Sequence, residues 1–233
     1  MKKCLIAVAV LGLLTSFGLS APAADIEEGF TSLFNGQDLS GWVKRGGSAE
    51  YHVADGSIVG KCVPDTPGNT FLCSEKEFGN FILRLQYRFL EPGNSGVQFR
   101  SAARPEGDRE RVYGYQYEMT PGGESTGRIY DEGRRGHKFG VIWLDAYTPQ
   151  DRLDAAQASV KEGEWNDVEI QCVGPSIKTW LNGKLVVDIF DSFSMTGFFG
   201  LQIHAGKSGS VAWRNIRVKD LGTSQWEPFF VKG

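Results

Sequence analysis

Apolar and polar residues alternate along most of this chain, and a sequence that repeats every two residues can gather its apolar side onto one surface only by forming strands. "FILRLQYRF" sets Phe81, Leu83, Leu85, Tyr87 and Phe89 on one side and Arg84, Gln86 and Arg88 on the other. "YGYQYEM" sets Tyr113, Tyr115, Tyr117 and Met119 against Gly114, Gln116 and Glu118. The same phase recurs in "EYHVADGSIVGK", "SGVQFRS", "TGRIYD", "EWNDVEIQCVG", "SIKTWLNGKLVVDIF", "FFGLQIHA" and "GSVAWRNIRVKDL", with Gly, Asn, Asp and Pro between the runs. Asn182-Gly183 and Asp55-Gly56 are dipeptides that favour tight two-residue hairpins. Helical periodicity is nearly absent; Thr148 to Gln157 is read as one short helix or a loop. Many short strands in one chain predict an all-β fold, a jelly-roll sandwich of two antiparallel sheets.

The first residues show another pattern. Lys2 and Lys3 precede an apolar run from Cys4 to Leu19, then Ala21-Pro22-Ala23 in the form a signal peptidase reads. Residues 1–24 are therefore expected to be a secretory signal and residues 25–233 a single domain, exported and periplasmic. No segment has the long apolar run of a membrane span. Loss of Lys2 and Lys3 takes the formal charge from −3 to −5, and no Lys/Arg block is present, so nucleic acid is not expected as a partner. Of the remaining cysteines, Cys172 alternates with Val168 and Ile170 and reads as a core thiol. An oxidising compartment would allow Cys62 and Cys73 to pair; the alternative is two core cysteines. No Cys/His spacing suggests zinc.

The polar side of several strands has an unusual composition. Gln98 and Arg100, Gln116 and Glu118, and Gln202 and His204 are amides, a guanidinium, a carboxylate and an imidazole, where an ordinary wet face carries Lys, Glu, Thr and Ser. If these strands share a sheet, the six side chains form a band of donors and acceptors suited to a small carbohydrate. Singly, each would be read as a solvated strand residue; their coincidence carries the reading. In "TGRIYDEGRR", Arg128 and Tyr130 share one side and Ile129 and Asp131 the other, with Arg134 and Arg135 where the chain turns. A solvated ion-pair loop is the plainer account of that cluster. His52 reads as packing, while His137, in the charged loop "DEGRRGHK", is open to either a functional or a structural reading. Trp143, Trp165, Trp180 and Trp213 are available for stacking on a sugar, although Trp180 and Trp213 sit among core-like alternations.

"FTSLFNGQDLSGW", "NSGVQFR", "TGRIYDEGRR", "EWNDVEI" leading to "LNGKLV", and "GLQIHAGKSGSVAWRNIRVKDL" together resemble the 3-keto-disaccharide hydrolase family, whose members are also described as 3-keto-glucoside 1,2-lyases and 3-keto-2-hydroxy-glucal hydratases, over nearly all of residues 29–221. The resemblance implies a concanavalin A-like sandwich and an exported enzyme acting on glycosides oxidised at carbon 3 of glucose. A ketone there acidifies the hydrogen on carbon 2, so the reaction needs a base, a stabiliser for the enolate and an acid for the leaving group. Glu118 or His204 is expected as the base, Arg100 or a bound divalent cation as the stabiliser, and Tyr130 or Asp131 as the acid. Glu118 with His204 is the alternative metal-holding pair. Gln98, Gln116, Gln202, Arg128 and Arg134 are expected to contact substrate. Two rivals are a non-catalytic carbohydrate-binding module using the same face, and a conventional glucanase. The second would carry Glu-x-Asp-x-x-Glu on one strand, which this sequence lacks.

Overall fold

The period-two segments become strands, and their turn chemistry joins them. A computed structural model describes residues 27–135 and 143–223. In chain order these form β1 (Thr31–Ser32), β2 (Trp42–Gly46), β3 (Glu50–Ala54), β4 (Ser57–Lys61), β5 (Thr70–Phe78), β6 (Asn80–Glu91), β7 (Ser95–Glu106), β8 (Arg109–Met119) and β9 (Ile129–Glu132). A short helix, α1 (Gln150–Gln157), precedes β10 (Asn166–Val173), β11 (Ser176–Leu181), β12 (Lys184–Phe190), β13 (Gly197–Ile203) and β14 (Ser210–Gly222). Both expected hairpins are present. Asp55 and Gly56 join β3 to β4 at φ 49° and 68°, and Asn182 and Gly183 join β11 to β12 at φ 48° and 76°. Paired positive φ values give the twist that matches the flanking strands.

Every strand pairing is antiparallel, and the strands divide into two sheets. One sheet runs β12-β11-β10-β6-β14-β4-β3, with β1 added against β14; the other runs β2-β5-β13-β7-β8-β9. Between them lie the apolar phases predicted from alternation: Phe81, Leu83, Leu85 and Tyr87 of β6 meet Val97 and Phe99 of β7, Tyr115 and Tyr117 of β8 and Leu201 of β13 in one buried cluster. Phe81 contacts Phe99 and Phe199 edge-on, with centroids 6.4 and 4.8 Å apart, and Phe99 stacks on Tyr115 at 5.5 Å. Withdrawing each such side chain from water contributes about 1.5–3 kcal/mol. This is the all-β, two-sheet jelly-roll sandwich that the sequence predicts. Among the described residues no helix is long and apolar enough to cross a membrane. The segment read as a signal, residues 1–24, and His137 lie outside the described residues.

The structure decides between the two readings of Cys62 and Cys73 in favour of two core cysteines, and it changes the expectation for Arg100. Cys62 and Cys73 do not pair. Both thiols are free and buried. Cys62 joins the central core and points toward Gly206 O at 3.3 Å, whereas Cys73 packs with Phe71, Val112 and Phe198 in a separate cluster.

Arg100 also departs from its expected phase. The pairing of β7 with β8 shifts between Phe99 and Ala102, and Arg100 takes φ 45°, so a bulge breaks the alternation at that residue. The guanidinium turns into the protein and is fully buried. It donates to Gly79 O at 2.9 Å, Gly174 O at 2.7 Å and Asn80 Oδ1 at 3.3 Å, all contributed by the opposite sheet and its turns. Arg100 is thus a tie between the two sheets, with no surface to offer a ligand. Arg100→Met leaves those buried acceptors without their donor, and the loss is expected to cost about 3 kcal/mol. Thermal denaturation should show the midpoint lowered by roughly 6–12 °C. An unchanged midpoint accompanied by weakened sugar binding would return Arg100 to the ligand contacts.

Candidate functional site

The outward face of the six-stranded sheet is organised by a three-residue pattern repeated on three strands: Gly96-Val97-Gln98, Gly114-Tyr115-Gln116 and Gly200-Leu201-Gln202. In each, the middle residue enters the core while the glycine and glutamine face out. Antiparallel register then places Gly200 beside Gln98 and Gln98 beside Gln116, and in the next row Gln202 beside Gly96 and Gly96 beside Glu118. Each row therefore sets a glycine beside a glutamine, and the long amides can lie across those gaps. A Cβ at Gly96 would stand 2.6 Å from Gln116 Cγ and Cδ, a separation that would force the amide to move. Gly96 is where it is because Gln116 occupies its side-chain space.

The amides close on one carboxylate. Ser101 Oγ donates to Gln98 Oε1 at 2.6 Å, and Gln98 Nε2 donates to Gln116 Oε1 at 2.8 Å. Gln202 Nε2 donates to the same oxygen at 2.9 Å. Gln116 Nε2 in turn donates to Glu118 Oε2 at 2.8 Å and to Gln202 Oε1 at 3.4 Å, so both its hydrogens and both its lone pairs are engaged. Asn94, in the loop before β7, donates to Glu118 Oε1. An ionised carboxylate only accepts, so Glu118 sets which end of Gln116 faces it and, through Gln116, the orientation of Gln98 and Gln202.

Glu118 is 6 % exposed, against 0 % for Gln98 and Gln202. Burial pushes its pKa above the ordinary carboxylate value; the hydrogen bonds from Asn94 and Gln116 and the charge of His204 pull the other way. Gln98 and Gln202, expected as direct substrate contacts, are fully buried and instead hold Gln116 by donating to its oxygen. His204 comes directly after β13 and is exposed, with Nδ1 2.7 Å from Ala205 O.

One wall of the face comes from β9 and the segment preceding it. Tyr130 pairs with Gln116, and Arg128 stands opposite Glu118 through the bond from Glu118 N to Arg128 O at 2.9 Å; residues opposite one another share a face. Trp143 pairs with Tyr130, its ring edge-on at 5.9 Å. The Arg128 guanidinium lies over that indole at 4.3 Å and donates to Asp145 Oδ2 at 3.0 Å. Burial, followed by the charges of Glu132 and Glu118, raises the Tyr130 pKa and keeps its hydroxyl protonated.

Asp131 and Arg134 do not belong to this group. Asp131 pairs with Tyr115, which puts it on the core side of the sheet, and it is fully buried. Its oxygens are held by Arg134 at 2.5 Å and Arg135 at 2.9 Å, and Arg134 also lies over the Tyr115 ring and donates to Ser194 Oγ. That cluster anchors the sheet edge. The alternation in "RIYD" already separates Tyr130 from Asp131; only the pairing shows which side is which. Asn94 is invisible to a periodic reading because one loop asparagine carries no periodic signal, whereas the threefold Gly-x-Gln is readable as a repeated tripeptide. Among the described residues no three His, Cys, Asp or Glu side chains converge as a metal site. Glu118 is instead surrounded by amide N–H groups, which suit an anion more than a cation's ligand.

A family model described as the 3-keto-alpha-glucoside-1,2-lyase-like domain matches residues 29–219. No curated protein matches the chain. Among solved structures, a candidate glycosyl hydrolase from Parabacteroides distasonis ATCC 8503 is 21 % identical, with 84 % of this chain and 95 % of that one covered at a TM-score of 0.58. The carbohydrate binding module CBM66 from Bacillus subtilis is 17 % identical, with 76 % and 94 % covered at 0.52. At those identities the two structures share the fold with this chain, and the family match carries more. With the sandwich, the register and the family model in agreement over the same residues, the chain belongs to the 3-keto-alpha-glucoside-1,2-lyase-like domain family.

Proposed function

We propose that this protein is an exported, periplasmic enzyme that cleaves the glycosidic bond of 3-keto-glucosides or 3-keto-disaccharides by elimination and rehydration. The observation that carries the reading is Glu118: a carboxylate almost withdrawn from water, fixed at both oxygens by amides, with its proton affinity raised. A base works best when its pKa approaches the working pH, and burial moves Glu118 in that direction. Membership of the family supports the substrate class.

In this mechanism the 3-keto sugar lies between Glu118 and the wall of Tyr130 and Trp143. Glu118 takes the proton from carbon 2, and the electron pair enters the carbonyl to give the enolate. Arg128, on the same face and opposite Glu118, supplies positive charge toward the enolate oxygen, the role expected of Arg100 from sequence. The enolate then re-forms the ketone as carbon 1 and carbon 2 become doubly bonded and the glycosidic C–O bond breaks. Tyr130 protonates the departing oxygen; water then adds its oxygen to carbon 1 and gives a proton to Tyr130, while Glu118 returns its proton to carbon 2, which restores both groups. The net change is hydrolysis. His204, at the rim, tunes the charge of Glu118 and contacts the part of the substrate that extends past β13.

Glu118→Gln preserves shape and can still accept from one amide but removes the base, so turnover of a 3-keto-glucoside should fall by about 10²-fold or more with the fold intact. Deuterium at carbon 2 should slow the wild-type reaction wherever proton removal limits it, and the unoxidised disaccharide should be inert. Binding of both sugars with turnover of neither would make the face a lectin surface.

The pH profile provides a separate test. Because burial raises the Glu118 pKa, the base form is lost on acidification earlier than for an ordinary carboxylate. The acidic limb of kcat/KM should therefore lie above the usual glutamate value of about 4.3, and should move lower in Asn94→Ala only if release to solvent outweighs the lost hydrogen bond. The stability contribution has the opposite sense: a carboxylate whose folded pKa is raised costs stability as pH climbs from its unfolded pKa through its folded one. Glu118→Gln should remove that cost, and chemical denaturation at pH 4 and pH 8 should show the wild type losing more stability than the variant on going to the higher pH.

A further inference from the structure

The reverse side of the molecule carries a second constellation. On β6 the residues pointing away from the core are Arg84, Gln86 and Arg88, and β6 lies in the eight-stranded sheet, opposite the Glu118 face. β14 adds Arg214 and Arg217. Two of these four arginines are neutralised: Arg84 lies 2.6 Å from both Glu27 and Glu169, and Arg217 lies 3.5 Å from Glu27.

Arg88 and Arg214 are placed differently. Ala212 pairs with Arg88 and Arg214 with Gln86, which makes the two arginines diagonal neighbours, about 7–8 Å apart in the backbone. Both guanidiniums lie over the same indole, Trp165, with Cζ 4.8 and 4.0 Å from the ring centroid. Neither is within ion-pair distance of a carboxylate among the described residues. Arg214 Nε donates to Gln86 Oε1 at 2.8 Å, while Arg88 Nε is buried with no hydrogen-bond partner. The nearest opposing influence is Asp167, whose Oδ1 is taken by Gln86 Nε2 at 2.8 Å. Burial first and the Arg88 charge second lower the Arg214 pKa, and Asp167 opposes them only in part. In a chain of formal charge −3, with acids available to pair Arg84 and Arg217, two guanidiniums sharing one ring and without an ion-pair partner among the described residues form a receptor for an anion.

We propose that Arg88, Arg214 and Trp165 bind an acidic saccharide, with the carboxylate of a uronate residue on the outward N–H groups of the two guanidiniums and its sugar ring against the part of the indole that they leave exposed. An arginine fork matches a carboxylate in shape as well as charge, and an indole provides the flat apolar surface against which sugar C–H groups pack. The adjoining groove, lined by Asp167, Glu169 and Trp180 among others, offers acceptors for hydroxyls and a second aromatic for the next sugar unit. This site lies on the other sheet from Glu118 and would hold the protein on an acidic glycan without occupying the catalytic face.

Isothermal titration of the full chain with a galacturonate or glucuronate oligomer tests this. Binding is expected, weakened about tenfold or more by Arg88→Gln or Arg214→Gln, weakened by salt, and unchanged by Glu118→Gln. A neutral oligosaccharide of the same length should not compete, and Trp165→Leu should lose the preference for the saccharide over inorganic phosphate. Removing either of two like charges should leave the melting temperature intact or raise it, so a folded variant is available. The proposal is overturned if the wild type does not bind the oligomer, if the folded Arg88→Gln/Arg214→Gln variant binds it as tightly, or if inorganic phosphate binds as well as the uronate, which would leave a counter-ion site only.

Discussion

A carboxylate taken out of water has to be surrounded by donors, and the arrangement of the six-stranded sheet reflects how Glu118 meets that demand. Its two oxygens accept from Asn94 and Gln116. Gln116 is then fully committed, because its oxygen must receive the hydrogens of Gln98 and Gln202. Three long amides cannot lie side by side on a sheet whose neighbouring strands are about 4.8 Å apart unless some positions have no side chain. Gly96 and Gly200 supply those positions. The order of dependence runs from the buried charge to the amides, and from the amides to the glycines, so the Gly-x-Gln pattern is the sequence signature of one satisfied carboxylate. A polar network in this state resists distortion, since moving any member strands a buried group elsewhere.

Alternation made most of the fold legible. Apolar phases in "FILRLQYRF" and "YGYQYEM" became the two walls of one core, and the Asn-Gly and Asp-Gly dipeptides became the two tight hairpins. Periodicity assigns each residue to one of two sides of its own strand and says nothing about which strands are neighbours. The polar sides of β6 and β8 are therefore equivalent in sequence, although one lies behind the eight-stranded sheet and the other in front of the six-stranded sheet. Arg84, Gln86 and Arg88 resemble the site residues in type while standing on the opposite surface.

Arg100 shows the second way that a periodic reading fails. In "VQFRS" it takes the phase of Gln98, but a bulge inserts one residue against β8 and reverses the phase from that point on. Ser101, two positions after Phe99, bonds to Gln98 on the outward face, while Arg100 crosses the sandwich to Gly79 and Gly174. No local pattern marks such a bulge, since a non-glycine residue at positive φ is held there by distant contacts. A fully buried guanidinium without a carboxylate is costly, and here three carbonyl-type oxygens from the other sheet offset the desolvation. Asp131 fails for a related reason: alternation separates it from Tyr130, but a residue on the core side at the end of a short edge strand meets Arg134 and Arg135 rather than solvent.

The proposed chemistry draws on this division of labour. Arg100 and the Asp131 cluster lock the sheet's core side, which leaves the outward side to hold Glu118 in one position. Pre-positioning matters for the proposed proton abstraction from carbon, where the base must lie along the C–H bond and thermal excursions of even an ångström weaken the transfer. A solvent-exposed glutamate would be freer and less basic. Glu118 is kept both basic and still by opposing influences of similar kind: burial raises its proton affinity, and the two amides that fix its direction lower it again, but only in part. The balance leaves a carboxylate able to ionise and ready to accept a proton, which an ammonium or a guanidinium in place of Asn94 would have abolished by stabilising the anion too strongly.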